Sequence, residues 1–189
     1  MSHTSAVWIQ REIVRSPTAR RAIGVVAFAA AMAFGAKVAV PLPGTPVPFT
    51  LQGMFVLLGG ALLGARLGAS SQGLYLAVGA LGAPVFAAGG GIAYLLGPTA
   101  GYLWAFPLAA YATGVVFARG PGLGRAALAV LLGFAVIHAG GLAWLSLLSG
   151  PSTAFRWGIL PFVGVDLLKA AFVVVLASRL RGRALELFG

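Results

Sequence analysis

Apolar residues in this chain run in long stretches, and charged residues interrupt them only at wide intervals. Windows of about 20 apolar residues are the length that crosses a bilayer as a helix. The pattern predicts six such spans, at 20–40, 49–65, 67–83, 98–118, 125–148 and 157–180. The third and fourth come from a single uncharged stretch, 67–118, divided by the glycine-rich "PVFAAGGGIAYLLGP". No internal repeat is apparent. The expected architecture is all-α: one polytopic domain, 1–189, with a cytoplasmic or interfacial segment at 1–19 and a cytoplasmic tail at 181–189.

Composition turns this pattern into a statement about solvent. The 189 residues are 60% hydrophobic and only 8% charged, against about 25% charged in a soluble domain. So few charges cannot coat a globule of this size, and lipid is the expected neighbour of most of the surface. The net charge of +10 is scattered singly and in small groups, forming neither a basic helical face nor an aromatic–basic RNA motif, so nucleic acid is not an expected partner. Cysteine is absent, which excludes disulfides and thiolate chemistry. No GxxxxGK[ST] phosphate loop occurs, so any ATP-driven work falls to another subunit.

Arginine sets the expected orientation. Arg11, Arg15, Arg20 and Arg21 precede the first span, and Arg66 lies between the second and third. Arg119 and Arg125 separate the fourth and fifth, and Arg179, Arg181 and Arg183 end the sixth. These ten of the thirteen basic residues fall on one side, the cytoplasmic one by the positive-inside rule, which puts both termini inside. The basic head and A-x-A spacing of "RRAIGVVAFAAAMA" also fit a signal peptide. The upstream "SAVWIQREIVRS" reads as a short interfacial helix anchored by Trp8 and Ile9.

Three connections then share the outer side: "PLPGTPVPFTLQG", "FAAGGGIAYLLGP" and "LLSGPSTAFRWG". Pro41, Pro43, Pro46 and Pro48 place four of the chain's eleven prolines in the first. Each biases the residue before it away from helix, and irregular backbone at membrane depth must be buried in protein or line a cavity. Two readings stand: a stiff lid over the mouth of the bundle, or a tight connector. The lid is favoured, since a connector needs only a few residues.

Few polar groups lie within the spans. Asp166 and Lys169, three residues apart, share a helix face. Counted from Trp157 at 1.5 Å per residue, Asp166 sits roughly 13 Å deep, where ionisable side chains usually face a cavity or bundle interior. A structural ion pair, a ligand-facing pair and a proton carrier all satisfy this placement. Gln52 either binds ligand or satisfies a helix end. Tyr94 and Tyr102 are interfacial aromatics or ligand contacts. His138, alone in the fifth span, reads as packing. No metal cluster, nucleophile–base pair or paired carboxylate occurs, so neither enzyme activity nor a metal or other cofactor is expected. Ala27 with Ala31, and Ala29 with Ala33, put small residues four apart on the first helix, as do Gly60, Gly64 and Gly68 at the end of the second. Such spacing lets helices approach closely in lipid, within the chain or against another subunit.

Taken together, "VPLPGTPVPFTLQ", "GALLGARLGA", "LYLAVGALGAPVFA", "LLGPTAGYLWAFPLAAY" and "DLLKA" resemble the BioY family, the biotin-binding S components of energy-coupling factor (ECF) vitamin transporters. The resemblance covers most of the chain, about 22–171. Its most specific blocks are the proline stretch and "GPTAGYL", where Ala100 stands for a usual glycine. It implies a six-helix membrane protein that captures biotin from outside. In that family the S component docks on a transmembrane coupling subunit driven by two ABC-type ATPase subunits, largely through small residues of helix 1, here Ala27, Ala29, Ala31 and Ala33.

Biotin presents two ureido N–H donors, a carbonyl acceptor, an apolar thiophane and a valerate carboxylate. On that resemblance Asp166 accepts a ureido N–H, while Lys169 or Gln52 donates to the carbonyl. Phe49, Phe86 and Tyr102 cover the rings, Tyr94 is a further ligand contact, and Arg156 or the N–H groups of Gly90 and Gly91 take the carboxylate. Two other classes remain: a secondary transporter with Asp166 as proton carrier, set against by the missing inverted repeat, and a structural membrane subunit without ligand.

Overall fold

The computed structural model describes residues 16–188; the expected interfacial helix around Trp8 and Ile9 lies outside them. Ser16 opens the first helix, α1 (Pro17–Lys37), with its Oγ accepting the Ala19 N–H at 3.4 Å. A serine N-cap followed by proline at the first helical position is a strong start signal, because proline needs no partner for the N–H it lacks. Two-residue strands β1 (Ala39–Val40) and β2 (Phe49–Thr50) then pair antiparallel, Ala39 with Thr50 and Val40 with Phe49. The proline segment 41–48 is the loop of this hairpin. The second helix therefore begins later than its hydrophobicity predicts, because Phe49 and Thr50 belong to a strand.

Helices α2 (Gln52–Leu63) and α3 (Ala65–Ala80) meet at Gly64 without a loop. Its φ of +82° is strained for any residue with a Cβ. The chain doubles back so tightly that a Cβ on Gly68 would lie 2.7 Å from the Gly60 Cα, and the helix that carries Ala110 comes so close that a Cβ on Gly60 would lie 2.2 Å from its carbonyl oxygen. The Gly60–Gly68 pattern thus serves packing inside this chain. A 3-10 turn (Ile92–Leu96) follows, then α4 (Ala100–Ala118), α5 (Leu123–Ser149), α6 (Pro151–Gly158) and α7 (Val163–Phe188). Helix α4 is the most enclosed, packing on α5, α2 and α3.

The six expected spans all find helices, with two corrections. Among the described residues, only α1, α4 and α5 are long and apolar enough to cross a membrane singly, and α6 with α7 makes a fourth as a pair bent by 52°. At 1.5 Å per residue, α2 and α3 are about 18 and about 24 Å long, short of the ~30 Å hydrocarbon core. The expected sixth helix, 157–180, is not continuous at its start. Turns at 159–162, containing Pro161, separate α6 from α7, so Asp166 stands in the first turn of α7. Its depth cannot be counted from Trp157 along one helix. A carboxylate there is favoured by the partial positive charge of the helix N-terminus. At its other end α7 runs on to Phe188, so 181–188 continue the helix.

Side-chain bonds show which ends lie together. Arg20 Nη1 donates to the Glu186 carbonyl (3.2 Å), and Arg181 Nη1 to those of Phe117 (2.6 Å) and Gly120 (3.2 Å). The start of α1, the end of α7 and the α4–α5 connection therefore share one end of the bundle. At the far end of α1, Lys37 Nζ donates to the Phe86 carbonyl at 2.8 Å, and Thr45 Oγ1 donates to the Trp157 carbonyl at 2.9 Å. The proline, glycine and α5–α7 connections meet there, as the sequence predicts.

Candidate functional site

At that second end lies a cavity, partly open to solvent, walled by the hairpin, α2, α4, α5, α7 and the loops beside them. Its apolar walls come from Val47, Pro48, Leu103, Phe106, Phe134, Ile137 and Phe162. Its polar groups are Thr50, Gln52, Tyr94, Thr99, Tyr102, His138, Asp166 and Lys169.

One charge pair organises the polar side. Lys169 Nζ donates to Asp166 Oδ1 at 2.7 Å, and His138 Nε2 lies 2.9 Å from Oδ2. The tautomer with its hydrogen on Nε2 makes His138 a donor to the carboxylate. It also leaves the buried Nδ1, which has no partner, a bare acceptor rather than an orphaned N–H. Both Asp166 oxygens thus already accept one bond, and each keeps a lone pair for a further donor. Lys169, only 8% exposed, also sits 4.2 Å from the centre of the Phe49 ring, close enough for a cation–π contact. Phe49 acts here by holding Lys169; it does not line the cavity.

Gln52 is oriented from both sides. The Thr50 hydroxyl accepts the Gln52 backbone N–H and donates to Gln52 Oε1, both at 3.3 Å. Gln52 Nε2 donates to the Tyr75 hydroxyl at 2.9 Å, which in turn donates to the Val85 carbonyl at 3.2 Å. One N–H of the amide is left for a ligand.

The aromatics sort by role. Phe86 is fully buried and outside the cavity wall, edge-on to Tyr75 (5.4 Å between centres) and stacked beneath Tyr94 (4.9 Å). It is a pillar that presents Tyr94. The 3-10 turn carrying Tyr94 is pinned by two indoles, Trp104 donating to the Leu95 carbonyl and Trp144 to that of Gly97. The Tyr102 hydroxyl donates to the Gly158 carbonyl at 2.8 Å, fixing the ring where α6 ends.

The structure therefore brings together Gln52, Tyr94, Tyr102, Asp166 and Lys169. It leaves Phe49 and Phe86 behind the wall and Gly90, Gly91 and Arg156 away from it. The Gly91 N–H is already donated to the Gly79 carbonyl at 2.7 Å. At Gly90 the backbone packs so closely on Ala83 that a Cβ would lie 2.1 Å from its carbonyl oxygen. Arg156 is exposed on α6, which gives the cavity no side chain. His138 is the correction in the opposite direction: it is not merely packing but a direct partner of Asp166 in the cavity wall. The rule that singles out Asp166, that ionisable residues inside a bundle face its working interior, applies equally to His138. On α1, Ala29 and Ala33 pack against the core of this chain, Ala31 is half-buried and Ala27 is exposed.

The proline loop closes part of this cavity. Val47 and Pro48 form part of its wall. Thr45 staples the loop down, its hydroxyl donating to the Trp157 carbonyl and accepting the Val47 N–H at 3.1 Å.

Comparison with known proteins gives consistent matches. The BioY family model matches residues 6–185. A protein of Pyrococcus horikoshii described as a probable biotin transporter BioY is 44% identical, over 84% of this chain and 94% of its own. The biotin transporter BioY of Thermotoga maritima is 35% identical, over 88% and 99%. Among solved structures, the S-component for biotin from an ECF-type ABC transporter superposes with a TM-score of 0.78 at 26% identity, covering 96% of this chain and 95% of that one.

Proposed function

The chain belongs to the BioY family, and on that premise we propose that it is the biotin-capturing component of a vitamin uptake transporter. It is a multi-pass protein of the cell membrane and not an enzyme. The observation that carries the reading is the cavity, in which one charge pair and one oriented amide face walls that are mostly aromatic and aliphatic. That arrangement suits a ligand with a small polar head and an apolar ring.

In this reading the ureido ring sits against Asp166, whose free lone pairs accept an N–H, while Lys169 and Gln52 donate to the ureido carbonyl. Tyr94 and Tyr102, with Phe106, Phe134 and Phe162, cover the apolar rings. Phe49 and Phe86 support from behind. The arginine-rich end, with both termini, faces the cytoplasm, and the cavity end faces out. A transmembrane coupling subunit carrying two ABC-type ATPases supplies the energy. The exposed Ala27 and half-buried Ala31 on α1 belong to its docking face, whereas Ala29 and Ala33 serve mainly the internal packing.

The test is transport. In vesicles containing this chain and its coupling module, uptake of labelled biotin is expected to stop when ATP is withdrawn and to survive collapse of the proton gradient. Uptake that followed the proton gradient and ignored ATP would instead make Asp166 a proton carrier and the protein a secondary transporter.

A further inference from the structure

The charges of the cavity balance without a ligand. Lys169 is the one lysine or arginine in its wall, and it is matched by Asp166 at 2.7 Å. A ligand bearing a carboxylate adds one negative charge, and taking a carboxylate out of water without a cation is costly. Among the described residues, two further basic side chains stand at this end, Lys37 and Arg156.

We infer that Lys37 is the specificity-determining cation that receives the ligand carboxylate at the cavity mouth. It is the last residue of α1, and the hairpin that walls the cavity with Val47 and Pro48 starts two residues later. Its Nζ reaches across to the Phe86 carbonyl, one residue before Ala87, which lines the cavity. Lys37 itself is not in the wall, but its ammonium bridges the start of the hairpin segment and the glycine loop, each of which supplies wall residues. Its present partner is a neutral carbonyl, and an ammonium has three donors. Lys37 can keep the Phe86 bond and still bind a carboxylate, the stronger partner because that bond is charge-assisted. Its side chain is exposed, so it takes up the anion without itself having been desolvated. Neither α1 nor α6 lines the cavity itself; Lys37 differs from Arg156 in that its ammonium is bonded to the Phe86 carbonyl, next to Ala87 of the wall.

This inference rests on the biotin reading, and the test separates the two. Dissociation constants are measured for biotin and for its neutral carboxamide, biotinamide, on the purified full chain and on Lys37→Met, Lys37→Arg and Arg156→Gln. The parent is expected to prefer biotin by roughly tenfold. Lys37→Met loses that preference through weaker biotin binding alone, and its unchanged affinity for biotinamide shows that it is folded. Lys37→Arg keeps most of the preference, and so does Arg156→Gln. Raised salt narrows the preference of the parent, because an exposed pair is screened. A parent that binds both ligands equally would overturn the role of Lys37 while leaving biotin recognition intact. So would a Lys37→Met protein that still prefers biotin, or a preference lost in Arg156→Gln instead. A parent that bound neither ligand would remove the biotin reading, and this inference with it.

Discussion

Asp166→Asn is expected to weaken biotin binding by roughly 10- to 100-fold, the range of one hydrogen bond to a charged group. The same change lowers the stability of the ligand-free protein, and the geometry says why. Asp166 accepts from Lys169 on one oxygen and from His138 on the other; asparagine keeps a single acceptor oxygen and turns an NH₂ toward one of these donors. Lys169, 8% exposed, is then a buried cation without a counter-charge, a loss of about 3–5 kcal/mol in comparable buried pairs. A fall in stability therefore cannot by itself distinguish a structural pair from a binding one.

The double variant Asp166→Asn/Lys169→Met does distinguish them. It removes both charges, and replacing a buried pair by neutral side chains is often close to neutral for stability. Its unfolding temperature without ligand should return most of the way to that of the parent, while biotin affinity stays low. A double variant that binds biotin as tightly as the parent would show that the pair only holds α7 in place.

The second large effect concerns the hairpin loop. Thr45→Val removes the bond to the Trp157 carbonyl and the acceptor for the Val47 N–H. At about 0.5–1.5 kcal/mol each, two such bonds correspond to biotin release faster by roughly 5- to 150-fold. Pro43→Ala/Pro46→Ala loosens the same loop by a different route, since alanine restores the backbone freedom that proline removes. Pro48 is left in place because it lines the cavity, and its loss would mix contact with stiffness. Both variants should leave the association rate nearly unchanged, as differences among related complexes fall mostly on dissociation. Stopped-flow traces with parental release rates in both would make the loop a connector and nothing more.

Parts of this account are legible in the sequence because they depend on local spacing. The long apolar runs place the helices, the arginines group the ends, and the i, i+3 spacing of Asp166 and Lys169 puts them on one face. Other parts depend on how separate elements meet. Whether His138 on α5 faces Asp166 on α7 is decided by the rotation of two helices against each other, which no local window contains. Phe86 and Gly91 carry the residue types of a binding loop, but the turn closed by paired Phe86 and Gly89 bonds directs the Phe86 ring inward, and the next strand of backbone commits the Gly91 N–H to Gly79. The α6–α7 break was signalled by Gly158, Pro161 and Gly164, yet mean hydropathy over a long window passes over it. Lys37, at the end of an apolar helix, looks like a routine C-terminal cation until the fold brings Phe86 beside it.

The measurement that bears most directly on the central claim is calorimetric titration of the purified, full-length chain with biotin. Its companion is the unfolding temperature with and without saturating vitamin. Saturable binding by the chain alone is expected, with a raised unfolding temperature, because a ligand that binds only the folded state stabilises it by mass action. Protein shown to be folded and helical that gives neither binding heat nor a thermal shift at saturating biotin would contradict the account.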